Sequence, residues 1–278
     1  MAESDAGNWD PDLYLRFETE RYAPFEDLLQ LVIVRPDLDV VDLGCGTGEL
    51  TRRLAAHLPG SRVLGIDTSE EMLERAREIE ARTVSAVADG AKAAAKAKAA
   101  GSLRFETGHL EHLENSWDLV FSNAAIHWVD NHESLVPFLW SAVRPGGQMV
   151  IQLPSNHGHP AHRLLAELAG QEPFTSELVG WTRQSPVLPV EQYARLLFDC
   201  GGTDLTVFEK VYPHELPDSD AVAAWISGTL MRPYLARLSE DSGRVFLQAF
   251  QDRLHAAIPG SPVLFGFKRI LFAARRPA

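Results

Sequence analysis

The chain has 278 residues, 45% of them apolar, and a formal net charge of -12. That length suffices for one sizeable core with a lid or for two small domains. The acidic balance excludes a general nucleic-acid surface, which needs a basic face for phosphate contacts. Two cysteines without metal-type spacing, no basic-then-apolar leader after Met1, and no run of roughly 18 apolar residues point to a cytoplasmic protein without a membrane span.

Residues 1–7 are small, polar and acidic, the composition of an unstructured end. A helix is expected from Phe17 through Leu31, with Arg16 and Arg21 near Trp9, Tyr14, Phe17 and Tyr22. Those aromatics either pack on the core or belong to a lid that brings Tyr14 and Arg21 into a cleft. Leu38, Val40, Val41 and Leu43 then read as a buried strand, and Leu50, Leu54 and Leu58 as the apolar stripe of a helix. Between them lies Gly44-Cys45-Gly46-Thr47-Gly48, where glycines let the backbone approach a ligand closely. The G-x-G-x-G spacing departs from the G-x-G-x-x-G dinucleotide fingerprint and disfavours a nicotinamide oxidoreductase.

A second apolar run, Val63 to Ile66, ends at Asp67, about 20 positions further on, where a carboxylate can accept from both hydroxyls of a ribose. Ser69 is the expected N-cap of a helix to Arg82, with Met72 and Leu73 facing inward. Thr83 to Gly101 is alanine-rich, with Lys92, Lys96 and Lys98, and has no large apolar side chain to anchor it. It reads as an exposed insertion, helical or disordered, without chemistry.

Leu103 to Thr107 is the next strand, followed by Gly108-His109-Leu110. Trp117 to Asn123 is the fourth strand and opens into Ala124-Ala125-Ile126-His127-Trp128. Ligands of open parallel sheets sit beyond the carboxyl ends of the strands, so this tip is where reacting atoms belong. His127 reads either as a base or as part of a packed helix start. Glu133 to Val143 is expected to be helical, Arg144-Pro145-Gly146-Gly147 a turn, and Gln148 to Leu153 a strand. The histidines at 157, 159 and 162 lie on an expected loop with mixed spacing, which is not a metal-binding pattern. A helix at Val190 to Cys200, a strand at Leu205 to Tyr212, helical patterning from Ser219 to Ile258 and a strand at Phe265 to Ala274 complete the chain.

D-L-G-C-G-T-G at Asp42 and G-I-D-T-S-E-E-M at Gly65 resemble the cofactor site of class I S-adenosylmethionine-dependent methyltransferases. Six further stretches extend the likeness: W-D-P-D-L-Y-L-R-F at Trp9, S-N-A-A-I-H-W-V at Ser122, Q-L-P-S-N at Gln152, V-Y-P-H-E-L at Val211, W-I-S-G-T-L-M-R-P at Trp225 and F-G-F-K-R-I-L-F at Phe265. With them the chain, apart from the alanine-lysine insertion, resembles the trans-aconitate 2-methyltransferase family.

The resemblance implies an α/β, Rossmann-like class I methyltransferase fold with a mostly parallel seven-stranded sheet and a helical cap. In domain terms it implies an N-terminal lid helix at 1–35, a cofactor-binding core at 36–154 that contains the 83–101 insertion, and a remainder at 155–278 with the cap near 219–258. S-adenosyl-L-methionine is the implied cofactor, held by Asp42, Gly44, Cys45, Gly46, Asp67, Thr68, Met72, His109, Leu110 and Asn123. His109 stands where many relatives carry an acidic residue against the adenine, which leaves the Leu110 backbone as the alternative contact. The implied reaction is methylation of one carboxylate of a small tricarboxylic acid. For that substrate the candidates are Tyr14, Arg21, His127, Trp128, Tyr212, His214, Arg232 and Arg269. A carboxylate is already ionised at neutral pH, so alignment rather than a general base is required, and arginine forks suit an anionic acceptor. A different small acceptor, or a cofactor-binding protein without catalysis, are the open alternatives. No nucleic acid, membrane or metal partner is expected.

Overall fold

The computed structural model describes residues 19–87 and 101–278, with side chains from Tyr22 to Ala81 and from Gly101 onward. The expected lid residue Tyr14 and the Ala/Lys run at 88–100 lie outside the described residues, as does the side chain of Arg21.

In chain order the elements are α1 (Thr19–Leu29), β1 (Asp39–Leu43), α2 (Glu49–His57), β2 (Arg62–Asp67), α3 (Glu70–Val87), β3 (Ser102–Thr107), β4 (Trp117–Asn123), α4 (His132–Ser141), β5 (Val143–Pro154) and α5 (Pro160–Ala169). They continue with α6 (Phe174–Glu177), α7 (Val190–Asp199), β6 (Thr203–Leu216), α8 (Ser219–Ser227), α9 (Arg232–Leu235), α10 (Glu240–Ala257) and β7 (Val263–Arg275). Single 3-10 turns follow β3 at Leu110–His112 and β4 at Ile126–Trp128. The seven strands lie in the order β3-β2-β1-β4-β5-β7-β6. Pairings from β3 through β5 are parallel, and β7 runs antiparallel to β5. The strand order reverses beside β1, so the tips of β1, β2 and β4 border the crevice where ligands of such sheets bind.

Two compact units divide the chain. Of the described residues, one comprises those within Pro24–Pro154, Pro186–Lys210 and Arg269–Ala278; the other comprises those from Thr19 to Ala23, Ser155–Ser185 and Val211–Lys268. In the first, β1 is buried from Val40 to Leu43 because both of its faces are covered. Val40 and Leu119 pack with Phe25, Leu54 and Leu73 on one side, while Val41, Leu43 and Val120 pack with Ile126, Leu139 and Tyr193 on the other. The second unit has its own core, in which Phe246, Phe250 and Leu254 of α10 meet Leu165 and Leu168 of α5 and Val222 and Ile226 of α8.

Several boundaries depart from the sequence reading. Arg144-Pro145-Gly146-Gly147 is not a turn ahead of the strand but a bulged stretch within β5: Val143 pairs with Trp117, and the next pair is Gln148 with Leu119. Within the bulge the Arg144 guanidinium bridges Asp39 at 2.7 Å and Asp118 at 2.9 Å, tying the starts of β1 and β4 together. The alternation seen at Leu205 to Tyr212 belongs to a longer strand, β6, which starts at Thr203 and ends at Leu216. Helix α3 runs to Val87 rather than stopping at Arg82, continuing through Thr83-Val84-Ser85-Ala86-Val87. The histidine loop is also partly helical. His159 caps α5, its Nδ1 accepting from the Ala161 N–H at 3.2 Å, and His162 lies in the first turns of the helix.

Candidate functional site

The site begins with a loop whose N–H groups are nearly all engaged inside the protein. Gly44 and Cys45 both donate to the Ile66 carbonyl, at 2.8 and 3.0 Å, and Gly48 donates to the Cys45 carbonyl at 3.1 Å. Gly46 donates to Asp67 Oδ2 at 2.8 Å. A phosphate-binding loop needs those N–H groups aimed at the ligand. Here they pin the loop to the end of β2, so the turn does not form a pyrophosphate cradle.

Gly44 is required for a close approach. Its φ is +74°, and a Cβ at that position would stand 2.2 Å from the Cβ of Ala125. The glycine turn thus presses directly on the tip of β4. At Gly46, with φ +55°, the space a Cβ would enter is open.

Asp67 ends β2 half-exposed, and both of its oxygens accept from backbone: Oδ2 from Gly46 and Oδ1 from Ser69, the latter at 2.9 Å. Each carboxylate oxygen keeps a further lone-pair direction, which is the chemistry a vicinal diol requires. Asp42, four-hundredths exposed, is a different kind of carboxylate. Thr51 of α2 donates to its Oδ2 at 2.6 Å. Burial, reinforced by the nearby charge of Asp67, raises its pKa to about 7 against the Thr51 hydrogen bond. The folded chain therefore holds a proton that the unfolded chain releases near pH 4, and the stability contributed by Asp42 fades as pH rises from about 4 through about 7. Asp42→Asn, which keeps a neutral acceptor for Thr51, should accordingly gain in stability relative to the native chain between pH 5 and about pH 8. Denaturant midpoints at the two ends of that range check this; a difference independent of pH would contradict it.

Cys45 is buried, and burial pushes its thiol far above the usual range, so it acts as a small apolar filler and not as a nucleophile. Met72 is buried on α3, Thr68 is exposed beside Asp67, His109 is exposed and Leu110 half-buried. His109 faces His112, with ring centroids 5.6 Å apart.

At the tip of β4, Ala124 takes a left-handed conformation with φ +56° and donates to the Gln152 carbonyl at 2.9 Å. The turn after it is held from behind. His132 Nε2 lies 2.9 Å from the Ile126 carbonyl, which can only accept, so that nitrogen carries the proton. His132 Nδ1 then accepts from the Tyr193 hydroxyl at 2.5 Å, and that hydroxyl accepts from the Leu188 N–H at 3.2 Å. Burial lowers the pKa of His132, consistent with a neutral ring. His127 and Trp128 ride on this turn, half-buried and exposed respectively, with their rings 4.9 Å apart.

A polar relay crosses the strand tips beside Asn123. Arg269 is buried and donates from Nη1 to Gln152 Oε1 at 3.1 Å; Gln152 donates from Nε2 to Asn123 Oδ1 at 2.7 Å. The antiparallel register that sets Leu271 opposite Gln152 and Arg269 opposite Pro154 brings them within reach. Gln152, Thr51, His132 and Tyr193 were not singled out from the sequence as site residues. The one visible signal was Gln152, a glutamine inside the otherwise apolar run Met149-Val150-Ile151-Gln152-Leu153.

The structure places the expected residues in two groups. Asp42, Gly44, Cys45, Gly46, Asp67, Thr68, Met72, His109, Leu110, Asn123, His127, Trp128 and Arg269 all belong to the sheet unit. Tyr212, His214 and Arg232 belong to the helical unit. There Tyr212 is buried, His214 packs on Trp225 with ring centroids 5.2 Å apart, and Arg232 is half-buried at the start of α9.

Residues 41–149 match the family model described as a methyltransferase domain. A trans-aconitate 2-methyltransferase of Deinococcus radiodurans is 42% identical over 97% of this chain and 98% of its own length. That of Paracidovorax citrulli is 37% identical over 98% and 99% respectively. Among solved structures, the YcgJ protein of Bacillus subtilis superposes with a TM-score of 0.58 at 14% identity, covering 92% of this chain and 99% of its own, a likeness of fold.

Proposed function

Because the chain belongs to the trans-aconitate 2-methyltransferase family, we propose that it transfers a methyl group from S-adenosyl-L-methionine to a carboxylate of trans-aconitate, yielding a monomethyl ester. The observation that carries the cofactor half of this reading is the glycine loop. With its N–H groups turned inward and a carboxylate at the end of β2, it suits a nucleoside without phosphates. Asp67 would take the ribose hydroxyls. Gly44, Cys45, Gly46 and Asp42 would form the floor under the amino-acid end, Thr68, Met72, His109 and Leu110 would border the adenine, and Asn123 would face the reacting end.

When bound, the cofactor supplies an activated methyl group on a sulfonium. The chain's own residues have only to bind, orient and exclude water, because the attacking oxygen is ionised at neutral pH. His127 therefore needs no role as a base. Arg269, buried beside the β4 tip, is the cation of the sheet unit best suited to an anionic acceptor. Holding both reactants in line is worth several kcal/mol of barrier, about 7 or more where alignment is good. Among the described residues no helix is long and apolar enough to cross a membrane, and a net charge of -12 with two cysteines fits the cytoplasm.

Incubation with methyl-labelled S-adenosylmethionine and trans-aconitate should transfer label to a base-labile product extracted as an ester. Unlabelled acid at millimolar substrate, from protein that still binds the cofactor, would overturn the acceptor assignment.

A further inference from the structure

We infer that Gln152 is a positioning residue that turns the Asn123 amide so that the tip of β4 offers an N–H donor to a ligand carboxylate. The inference rests on the methyltransferase reading above.

Its basis is the polarity of the relay. An arginine has donors and no acceptor, so the atom of Gln152 that meets Arg269 Nη1 at 3.1 Å must be the carbonyl oxygen. The Gln152 nitrogen is then the atom 2.7 Å from Asn123, and the atom it meets must be the Asn123 oxygen. Both amide orientations, ambiguous in isolation, follow from one guanidinium. Asn123 Nδ2 is left on the opposite side of its amide. Asn123 is half-buried, and among the described residues nothing accepts from that nitrogen.

That nitrogen keeps contact with solvent, so a ligand oxygen arriving at the tip of β4 can accept from it. The relay also fixes the kind of oxygen. Each amide is polarised by the cation behind it, so the outermost N–H favours an anion over a neutral carbonyl and disfavours an ammonium group. Gln152 is 1% exposed and Arg269 is 6% exposed, so little water screens the effect. Two carboxylates meet this chemistry, that of the acceptor acid and that of the cofactor's amino-acid end.

Gln152→Glu tests the orientation. The new carboxylate accepts from Arg269 and also from Asn123 Nδ2, so Asn123 turns round and presents its oxygen outward. Asn123→Asp places an acceptor outward without disturbing Gln152. Each substitution should weaken binding of the carboxylate-bearing ligand about 30-fold, the scale of one hydrogen bond to a charged group, with melting temperature little changed.

If the partner is the acceptor, KM for trans-aconitate rises while calorimetric affinity for S-adenosylhomocysteine holds. If it is the cofactor, affinity for S-adenosylhomocysteine falls while that for 5′-methylthioadenosine, which lacks the carboxylate, holds. Either result supports the inference, and the second needs no turnover, so it stands even if the trans-aconitate assignment fails. Lowering the pH toward about 5 should partly restore Asn123→Asp, whose carboxyl regains an O–H donor, its pKa raised by the facing anion. Native affinities in both variants, or equal losses for 5′-methylthioadenosine and S-adenosylhomocysteine, would overturn the inference.

Discussion

Replacing Asp67 by alanine is expected to weaken S-adenosylmethionine binding at least 100-fold, the largest effect of any single substitution in the sheet unit. Two hydrogen bonds from ribose hydroxyls to an ionised group are lost, each worth about 1.5–3 kcal/mol. The damage extends to the protein itself, because the same carboxylate fixes the N–H groups of Gly46 and Ser69. Without it the glycine turn loses its tie to the end of β2 at one of its bonds, while those of Gly44 and Cys45 to Ile66 remain. The fold should therefore survive while affinity falls. Titration calorimetry measures the affinity and a thermal melt the fold. An affinity within a few-fold of the native value would remove Asp67 from the cofactor site.

Gly44→Ala is expected to damage stability and binding together. The added methyl would meet the Ala125 Cβ at 2.2 Å, where carbon atoms normally stand about 3.5–4.0 Å apart. Overpacking of this kind costs about 1–3 kcal/mol, and the left-handed backbone adds about 1–2 kcal/mol for any residue with a Cβ. A total near 3 kcal/mol by denaturant unfolding is the expected result. The two causes separate in a double substitution. Adding Ala125→Gly removes the colliding methyl and should recover the packing part alone, leaving the backbone cost. No recovery in the double variant would show that the collision is not what matters, and native stability in Gly44→Ala would contradict both causes.

The parts of the site that were legible in the sequence are those encoded over a few neighbouring residues. A strand ending in Asp42-Leu43, a turn of spaced glycines and a strand ending in Asp67 announce themselves by apolar runs and by residues that tolerate positive φ. Asn123 was legible as the end of β4 for the same reason. The relay behind it was not, because Arg269 and Gln152 are 117 positions apart and meet only through antiparallel pairing of β7 with β5. Nothing local in Phe265 to Ala274 states which strand it will join or in what register. The His132–Tyr193 contact, 61 positions apart, was hidden likewise, since each residue alone looks like an ordinary side chain of a packed helix. The Arg144-Pro145-Gly146-Gly147 stretch was misplaced for a subtler reason. Proline and glycine signal a break in regular backbone, but a bulge inside a strand and a turn before one call on the same residues.

The division of the chain into units has a consequence for how such proteins can be recombined. The polypeptide passes from one unit to the other after residues 23, 154, 185, 210 and 268, and two of these passages fall inside β6 and β7. Exchanging the helical unit between relatives as a cassette would thus require splices in the middle of hydrogen-bonded strands.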